Sequence, residues 1–278
     1  MEEILIVVKD TVYERHYDGE SYRVPSEHRE KVIGGHRSHR SSVEKIKEAT
    51  GEGSRVKRLS ELGRGDPVDS ELVVTVGGDG TVLNTAQHVR DTPVATVRSD
   101  ERSTGELCVF DTEGFIEFIS AESRFRTESW TRLKGEIDGR EILALNEVFV
   151  GPGENPGVAE YRMEVDGRTE EQVSSGVVAS TGTGSTAWYS NIPGTDSFPR
   201  DTREIRFAVR EMMEGETGGG VVGPDGHLRV VSEMDSNGVV SFDGSRRERR
   251  FDFSRGSALD ITVSETPLRV VYPAEPEN

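Results

Sequence analysis

The segment 71–84, Glu-Leu-Val-Val-Thr-Val-Gly-Gly-Asp-Gly-Thr-Val-Leu-Asn, limits the fold more than any other part of the chain. Leu72 to Val76 is a short apolar run rich in β-branched residues, which reads as a buried strand. Gly77, Gly78 and Gly80 crowd the turn that follows, and Thr81, Val82, Leu83, Ala86 and Val89 then recur at helical spacing. Strand, glycine turn and helix form one βα unit, and the amides of such a loop suit an anionic phosphate. The glycines let backbone approach the ligand closely and adopt positive φ. Asp79 is the odd member, because a carboxylate in a phosphate loop repels the ligand unless it has another task. Two tasks fit: holding Mg²⁺, or taking the proton of a hydroxyl that attacks phosphorus. A turn residue of the Asx type is the alternative.

On either side of this unit the order stays βα. Ile4 to Val8 is a strand. Residues 9–30 are polar and irregular, with Tyr13, His16, Tyr17 and Tyr22, and form a surface loop or a cover for a site. Ser41-Ser-Val-Glu44 has capping-box spacing, which predicts a helix over about 41–50 with an earlier start near Ser26 left open. Arg55–Leu59 is a weak strand, 63–67 a loop, and Pro93–Val97 a second buried strand. The polar loop 98–105 then lies at a strand's C-terminal end, the ligand-binding edge of open α/β sheets. Thr112 is placed to cap a helix bearing Phe115, Ile116 and Ile119. This order implies parallel strands flanked by helices. From about 125 to 245 the segments become short and alternating, separated by Asp138-Gly139, Asp166-Gly167, Asn237-Gly238 and Asp243-Gly244. These are hairpin signals, and the half reads as all-β. Two tail strands are expected near Leu259–Val263 and Leu268–Tyr272.

Two further stretches stand out. Asn146-Glu147 is a polar pair inside the apolar strand expected over Glu141–Val150. Alternation sends one of the two inward, where it needs a partner; a bulge or an edge is the other reading. Thr181-Gly-Thr-Gly-Ser-Thr186 follows a β-branched strand and alternates hydroxyls with glycines. It offers uncharged donors to ribose or phosphate oxygens, with Trp188 and Tyr189 placed to stack on a base. A plain glycine/serine turn is the competing reading.

Composition removes some classes. A net charge of −17 leaves no basic surplus for nucleic acid. No apolar run reaches the length of a membrane span, and the N-terminus begins on a strand, so a cytoplasmic protein is expected. The single cysteine, Cys108, excludes an intramolecular disulfide and reads as a core residue. His36 and His39 fall on a polar segment and read as solvated surface. Acid is in excess while lysine is confined to positions 9, 31, 45, 47, 57 and 134, a balance resembling that of proteins from salt-loving archaea. Concentrated salt screens the self-repulsion of such a chain.

Taken together and in this order, Gly77-Gly-Asp-Gly-Thr81, Asn146-Glu147 and the loop Gly182-Thr-Gly-Ser-Thr-Ala187 resemble the NAD kinase family, over most of the chain up to Asp243-Gly244. Ser174-Ser175-Gly176 in place of Gly-Asp-Gly, Thr181-Gly182-Thr in place of Thr-Pro-Thr, Trp188 in place of Tyr and the 98–105 loop are similar to the mitochondrial-type branch. The resemblance implies an N-terminal Rossmann-like α/β domain (1–124), a β-sandwich-like NAD-binding domain (125–252) and C-terminal strands (253–278) returning to the first. It implies a ligand cleft between the domains and a homodimer or homotetramer. The reaction it implies moves the γ-phosphate of ATP, carried with Mg²⁺, to the 2′-hydroxyl of the adenosine ribose of NAD. Asp79 matches the general base; the amides of Gly77, Gly78, Gly80 and Thr81 would hold donor phosphates. Asn146 and Glu147 match acceptor-binding residues, and Thr183, Thr186, Ala187, Trp188 and Asn191 belong to the segment lining the NAD site. Ser175 stands where most members carry an acidic ligand-binding residue. No residue is assigned as a protein metal ligand, and no Walker-type Gly-Lys-Ser/Thr is present. A lipid or sphingoid kinase, which shares the Gly-Gly-Asp-Gly-Thr turn, and a non-catalytic NAD(H)-binding regulator are the alternatives.

Overall fold

The computed structural model describes residues 3–17, 26–62, 70–121, 124–154, 157–244 and 249–274. Tyr22 and the 63–67 loop lie outside these residues. The chain divides into two compact units, Met1–Glu128 with Leu268–Asn278, and Ser129–Pro267.

The first unit runs β1 (Ile4–Val8), α1 (Val12–His16), α2 (Ser26–Thr50), β2 (Ser54–Arg58), β3 (Leu72–Gly77), α3 (Asp79–Thr85), β4 (Val94–Arg98), β5 (Phe110–Asp111), α4 (Thr112–Ser120) and β6 (Phe125–Trp130). Its sheet has the order β2-β1-β3-β4, continued by the last strand of the chain and then β6, with β5 also on β4. β1, β2, β3, β4 and β5 pair in parallel. β1 is buried at every position and β3 at all but its first, the continuous apolar burial of a covered parallel strand. Ile6, Val74, Val76, Ala95 and Val97 pack with Ile46 of α2 and Phe115 and Ile119 of α4. Asp111 caps α4 by accepting the Gly114 amide at 2.7 Å.

The described parts of 9–30, residues 9–17 and 26–30, are more regular than the sequence suggests, since α1 carries a Thr11/Glu14 capping box and α2 already begins at Ser26. Ser41 is therefore an exposed residue inside α2, not its cap. The physical reason is that the buried stripe of α2 is polar. His39, Ser42 and Ile46 sit one and two turns apart and are all buried, so hydrophobic periodicity does not reveal the helix. Ser38 and Ser42 donate to the Ser99 carbonyl at 3.2 and 3.1 Å, and His39 Nδ1 lies 2.9 Å from Ser99 Oγ. His39 is thus a core residue, corrected from surface. Burial, then the Lys9 charge, push it down to about 4, so it is neutral near pH 7. His36 is half-buried against Tyr13 and 3.0 Å from Thr11 Oγ1.

The second unit runs β7 (Leu133–Ile137), β8 (Arg140–Ala144), β9 (Glu147–Pro152), β10 (Ala159–Val165), β11 (Arg168–Ser174), β12 (Val177–Ser180), β13 (Ile205–Val209), β14 (Gly219–Val222), β15 (Leu228–Ser232), β16 (Gly238–Phe242), β17 (Arg250–Asp252) and β18 (Ala258–Val263). These make two six-stranded antiparallel sheets, β11-β10-β15-β18-β7-β8 and β14-β13-β12-β9-β16-β17. One core cluster draws Leu133, Tyr161, Met163, Val230 and Ile261 from the first sheet and Val148, Val150, Ala179, Phe207 and Phe242 from the second. Two sheets sharing one core form a sandwich. The tail splits: β18 lies between β15 and β7 in this sandwich, and only β19 (Leu268–Pro273) joins the first unit, in parallel beside β4. The expectation that both tail strands return is corrected accordingly. β18 alternates buried and part-buried residues as a sandwich strand does, a pattern that does not name its partner sheet.

Candidate active site

In the first unit the chain leaves β3 at Gly77 and enters α3 at Asp79, with Gly78 as the extended cap residue. The three glycines differ in role. A Cβ at Gly77 would lie 2.1 Å from Thr81 Oγ1, so this glycine admits the Thr81 side chain. At Gly80 a Cβ would meet nothing within 4 Å, and at Gly78 only Ser103 Oγ at 4.0 Å. Those two positions open onto free space of the kind a phosphate would fill. Thr81 serves the turn itself: its amide donates to the Gly78 carbonyl at 2.8 Å, and its hydroxyl lies 3.5 Å from the Gly78 amide. Gly77 and Thr81 therefore brace the loop, which leaves the Asp79 and Gly80 amides without a partner among the described residues.

The Asp79 carboxylate does not close an Asx turn. Its Oδ1 accepts the Leu107 amide at 2.9 Å, across 28 positions of sequence, so the loop after β4 fixes its direction. That loop is held at both ends. Ser99 donates its amide to the Gly77 carbonyl at 2.9 Å, and the Val109 amide reaches Thr96 Oγ1 at 2.9 Å. Sequence reasoning missed both Leu107 and Ser99, because a backbone donor and a core serine carry no motif. Cys108 is half-buried rather than core, and burial and then Asp79 push its thiol up to about 12, which leaves it protonated and unreactive. Among the described residues no group of three or more His, Cys, Asp or Glu could hold a metal ion. Here the described residues offer a cation one oriented carboxylate beside open amides.

In the second unit the polar pair lies where the chain crosses between sheets. β8 ends at Ala144 in one sheet and β9 begins at Glu147 in the other, with Leu145-Asn146 as the link. The continuous strand expected over 141–150 is thus two strands. Asn146 and Glu147 are both buried, at 8% and 5% exposure. Thr181, at the end of β12, receives this link: its amide donates to the Asn146 carbonyl at 2.9 Å and its hydroxyl to the Leu145 carbonyl at 2.5 Å. Gly182 and Gly184 make the fit possible. A Cβ would lie 2.0 Å from the Pro199 carbonyl oxygen at the first and 2.3 Å from the Asn146 carbonyl oxygen at the second.

Three side-chain atoms around this link, Asn146 Oδ1, Glu147 Oε2 and Thr183 Oγ1, are buried with no hydrogen-bond partner among the described residues. Unsatisfied buried polar atoms are costly and rare, and their clustering is what a ligand-free recognition site looks like. Burial, then the nearby Asp243 carboxylate, push the Glu147 carboxyl up to about 8 against the pull of Arg249. Of the other expected residues, Thr186 and Asn191 are exposed and Ala187 is half-buried, with Asn191 Nδ2 donating to the Ala187 carbonyl at 3.4 Å. Trp188 is half-buried, its ring 4.9 Å from Phe149 and 5.5 Å from the Arg210 guanidinium. Tyr189 is buried in the same apolar cluster and cannot stack on a base, which corrects that expectation. Ser175 is half-buried; its amide donates to the Arg210 carbonyl at 2.9 Å, and its hydroxyl has no hydrogen-bond partner among the described residues.

Two outcomes follow locally. Gly184→Ala should cost about 1–3 kcal/mol of stability, because the new methyl meets backbone that cannot move aside. Gly80→Ala, which meets nothing, should leave the melting temperature unchanged; equal melting temperatures for both variants would contradict this packing. For pH, the Glu147 carboxyl takes its proton at an ordinary 4.5 in the unfolded chain and at about 8 in the folded one. The folded state therefore holds the extra proton between these values, and stability falls as pH rises through that window. Ligand-free Glu147→Gln should lose less melting temperature than the wild type between about pH 5 and pH 8. An unchanged slope would contradict the burial of an ionisable group there.

No protein-family model matches the chain. It is 30% identical over 219 residues to the NAD kinase of Leifsonia xyli subsp. xyli, covering 73% of this chain and 69% of that protein. It is 29% identical over 213 residues to the NAD kinase of Aromatoleum aromaticum, covering 73% and 69%. Its fold matches the crystal structure of an NAD kinase from Archaeoglobus fulgidus in complex with ATP with a TM-score of 0.68, over 98% of this chain and 93% of that one at 20% identity. With the glycine turn, the buried Asn-Glu pair and the hydroxyl-rich loop all in place, the chain belongs to the NAD kinase family.

Proposed function

We propose that this protein phosphorylates NAD, moving the γ-phosphate of ATP to the 2′-hydroxyl of the adenosine ribose to give NADP. The observation that carries the reading is the pairing of two built features on one family member. One is an Asp carboxylate oriented by a distant backbone amide inside a glycine turn with open N–H groups. The other is a set of buried polar atoms at Asn146, Glu147 and Thr183 with no hydrogen-bond partner among the described residues.

A ribose hydroxyl is a weak nucleophile at neutral pH. Asp79 accepts its proton as the new P–O bond forms and the bond to ADP breaks, and such a base contributes about 10²–10⁴-fold. The amides of Asp79 and Gly80 face the donor phosphates, braced by Gly77 and Thr81. Mg²⁺ bound to ATP would offset charge on the phosphates beside Asp79. Asn146, Glu147 and Thr183 bind the acceptor's polar groups. Thr186, Ala187, Trp188 and Asn191 line the remainder. Ser175, in place of an acidic residue, supplies a neutral hydroxyl to the same ligand.

The net charge of −17 supports a halophilic protein, and the 98–105 loop supports the mitochondrial-type branch; the family resemblance carries the reading of a cytoplasmic homodimer or homotetramer. No described helix is long and apolar enough to cross a membrane. The test is purified protein in concentrated KCl with ATP, Mg²⁺ and NAD, coupled to an NADP-specific dehydrogenase. NADP formation supports the reading. Binding of NAD without turnover would replace it with a regulator, and phosphorylation of a sphingoid base alone with a lipid kinase.

A further inference from the structure

The Leu145-Asn146 link has a complete set of backbone partners, although it belongs to no ladder. Its two carbonyls are taken by Thr181, through the amide to Asn146 and the hydroxyl to Leu145. Its two amides are taken by one side chain from the end of β16: Asp243 Oδ2 accepts the Leu145 N–H at 3.0 Å and Oδ1 accepts the Asn146 N–H at 2.7 Å. The Asp243 amide in turn donates to the Glu147 carbonyl at 2.8 Å, which fixes the register of the clamp. The carboxylate is fully buried and sits on a residue at φ +47°, a left-handed conformation that swings the side chain back onto the link. Its countercharge is Arg249, whose Nη1 lies 3.5 Å from Oδ2 and 3.3 Å from the Asp243 carbonyl oxygen.

A buried carboxylate is an expensive way to tie a turn. The contrast beside it shows what it serves. Every backbone polar group of the link is satisfied, while the Asn146 side chain on it and the Glu147 side chain next to it each have an oxygen with no hydrogen-bond partner among the described residues. That is the arrangement of a rigid mount holding recognition groups ready for a ligand. We propose that Asp243 is a positioning residue of the acceptor site, clamping the Leu145-Asn146 backbone so that Asn146 and Glu147 are pre-set for NAD. This rests on the reading of Asn146 and Glu147 as acceptor-binding residues. Asp243 acts through the two amides and, by its charge, on the neighbouring Glu147 carboxyl.

Asp243→Asn keeps the size but turns one acceptor into an NH₂ group facing an N–H. It should raise KM for NAD about tenfold or more and change KM for ATP less than about twofold. In an Asn146→Ala/Glu147→Ala background the same change should add less than about twofold, since its route to the ligand is gone. Thr181→Val, which loses the hydroxyl to Leu145, should shift KM for NAD in the same direction by less. Equal effects on both substrates, or full effects in the double-alanine background, would overturn the proposal. Amide hydrogen exchange on the ligand-free wild type needs neither activity nor a folded variant. The Leu145 and Asn146 amides should be protected as strongly as those of β9, and exchange at the rate of exposed loop amides would overturn the clamp even if NADP is made. Protection without NADP formation would leave the clamp standing and remove the kinase reading.

Discussion

Asp79→Asn is expected to lower turnover by about 10²-fold or more while leaving NAD affinity within about twofold of the wild type. The substitution is close to isosteric. Asparagine Oδ1 can still accept the Leu107 amide, so the side chain keeps its direction and the glycine turn keeps its shape. What disappears is the capacity to take a proton. The loss should therefore fall on kcat, the signature of an interaction made only in the transition state. Calorimetric titration of NAD beside steady-state kinetics separates the two effects. Near-normal turnover would remove Asp79 from the base role. A parallel collapse of NAD binding would make it a ligand contact instead.

The second large effect is on recognition. Asn146→Ala and Glu147→Ala should each raise KM for NAD by about tenfold or more and leave KM for ATP nearly unchanged. The Asn146 Oδ1 and Glu147 Oε2 atoms are buried and have no partner among the described residues, so the folded protein already bears their desolvation. A ligand that supplies the missing partners recovers that cost on binding. The same account predicts an opposite sign for stability: removing the buried Glu147 carboxyl should raise the melting temperature of the ligand-free protein near pH 8, where its burial is most costly. Equal changes in KM for both substrates would place these residues in general packing.

Where motif residues carry the chemistry, the sequence was informative. The strand, glycine turn and helix around Asp79 are legible because period, β-branching and glycine placement all change within a few residues. Asn146-Glu147 is visible as polarity inside an apolar run. Its geometry was not, because nothing local distinguishes a strand interior from a link between two sheets. The clamp was hidden for a related reason. Asp243 reads as half of an Asp-Gly hairpin signal, and its partners lie 97 and 98 positions away. His39 and Ser42 show the same limit on α2, where a buried stripe made of hydrogen-bonding side chains looks like surface. β18 alternates as any sandwich strand does, so its place in the second unit, and not beside β19, follows from pairing that no single segment encodes.

The most direct measurement uses ATP labelled at the γ-phosphorus with the wild-type protein, Mg²⁺ and NAD in concentrated KCl. Label should move into NADP, one equivalent for each ADP formed, and reside entirely on the 2′ position by ³¹P spectroscopy. Release of labelled inorganic phosphate with no labelled dinucleotide, or bound NAD that never acquires label, would contradict the account.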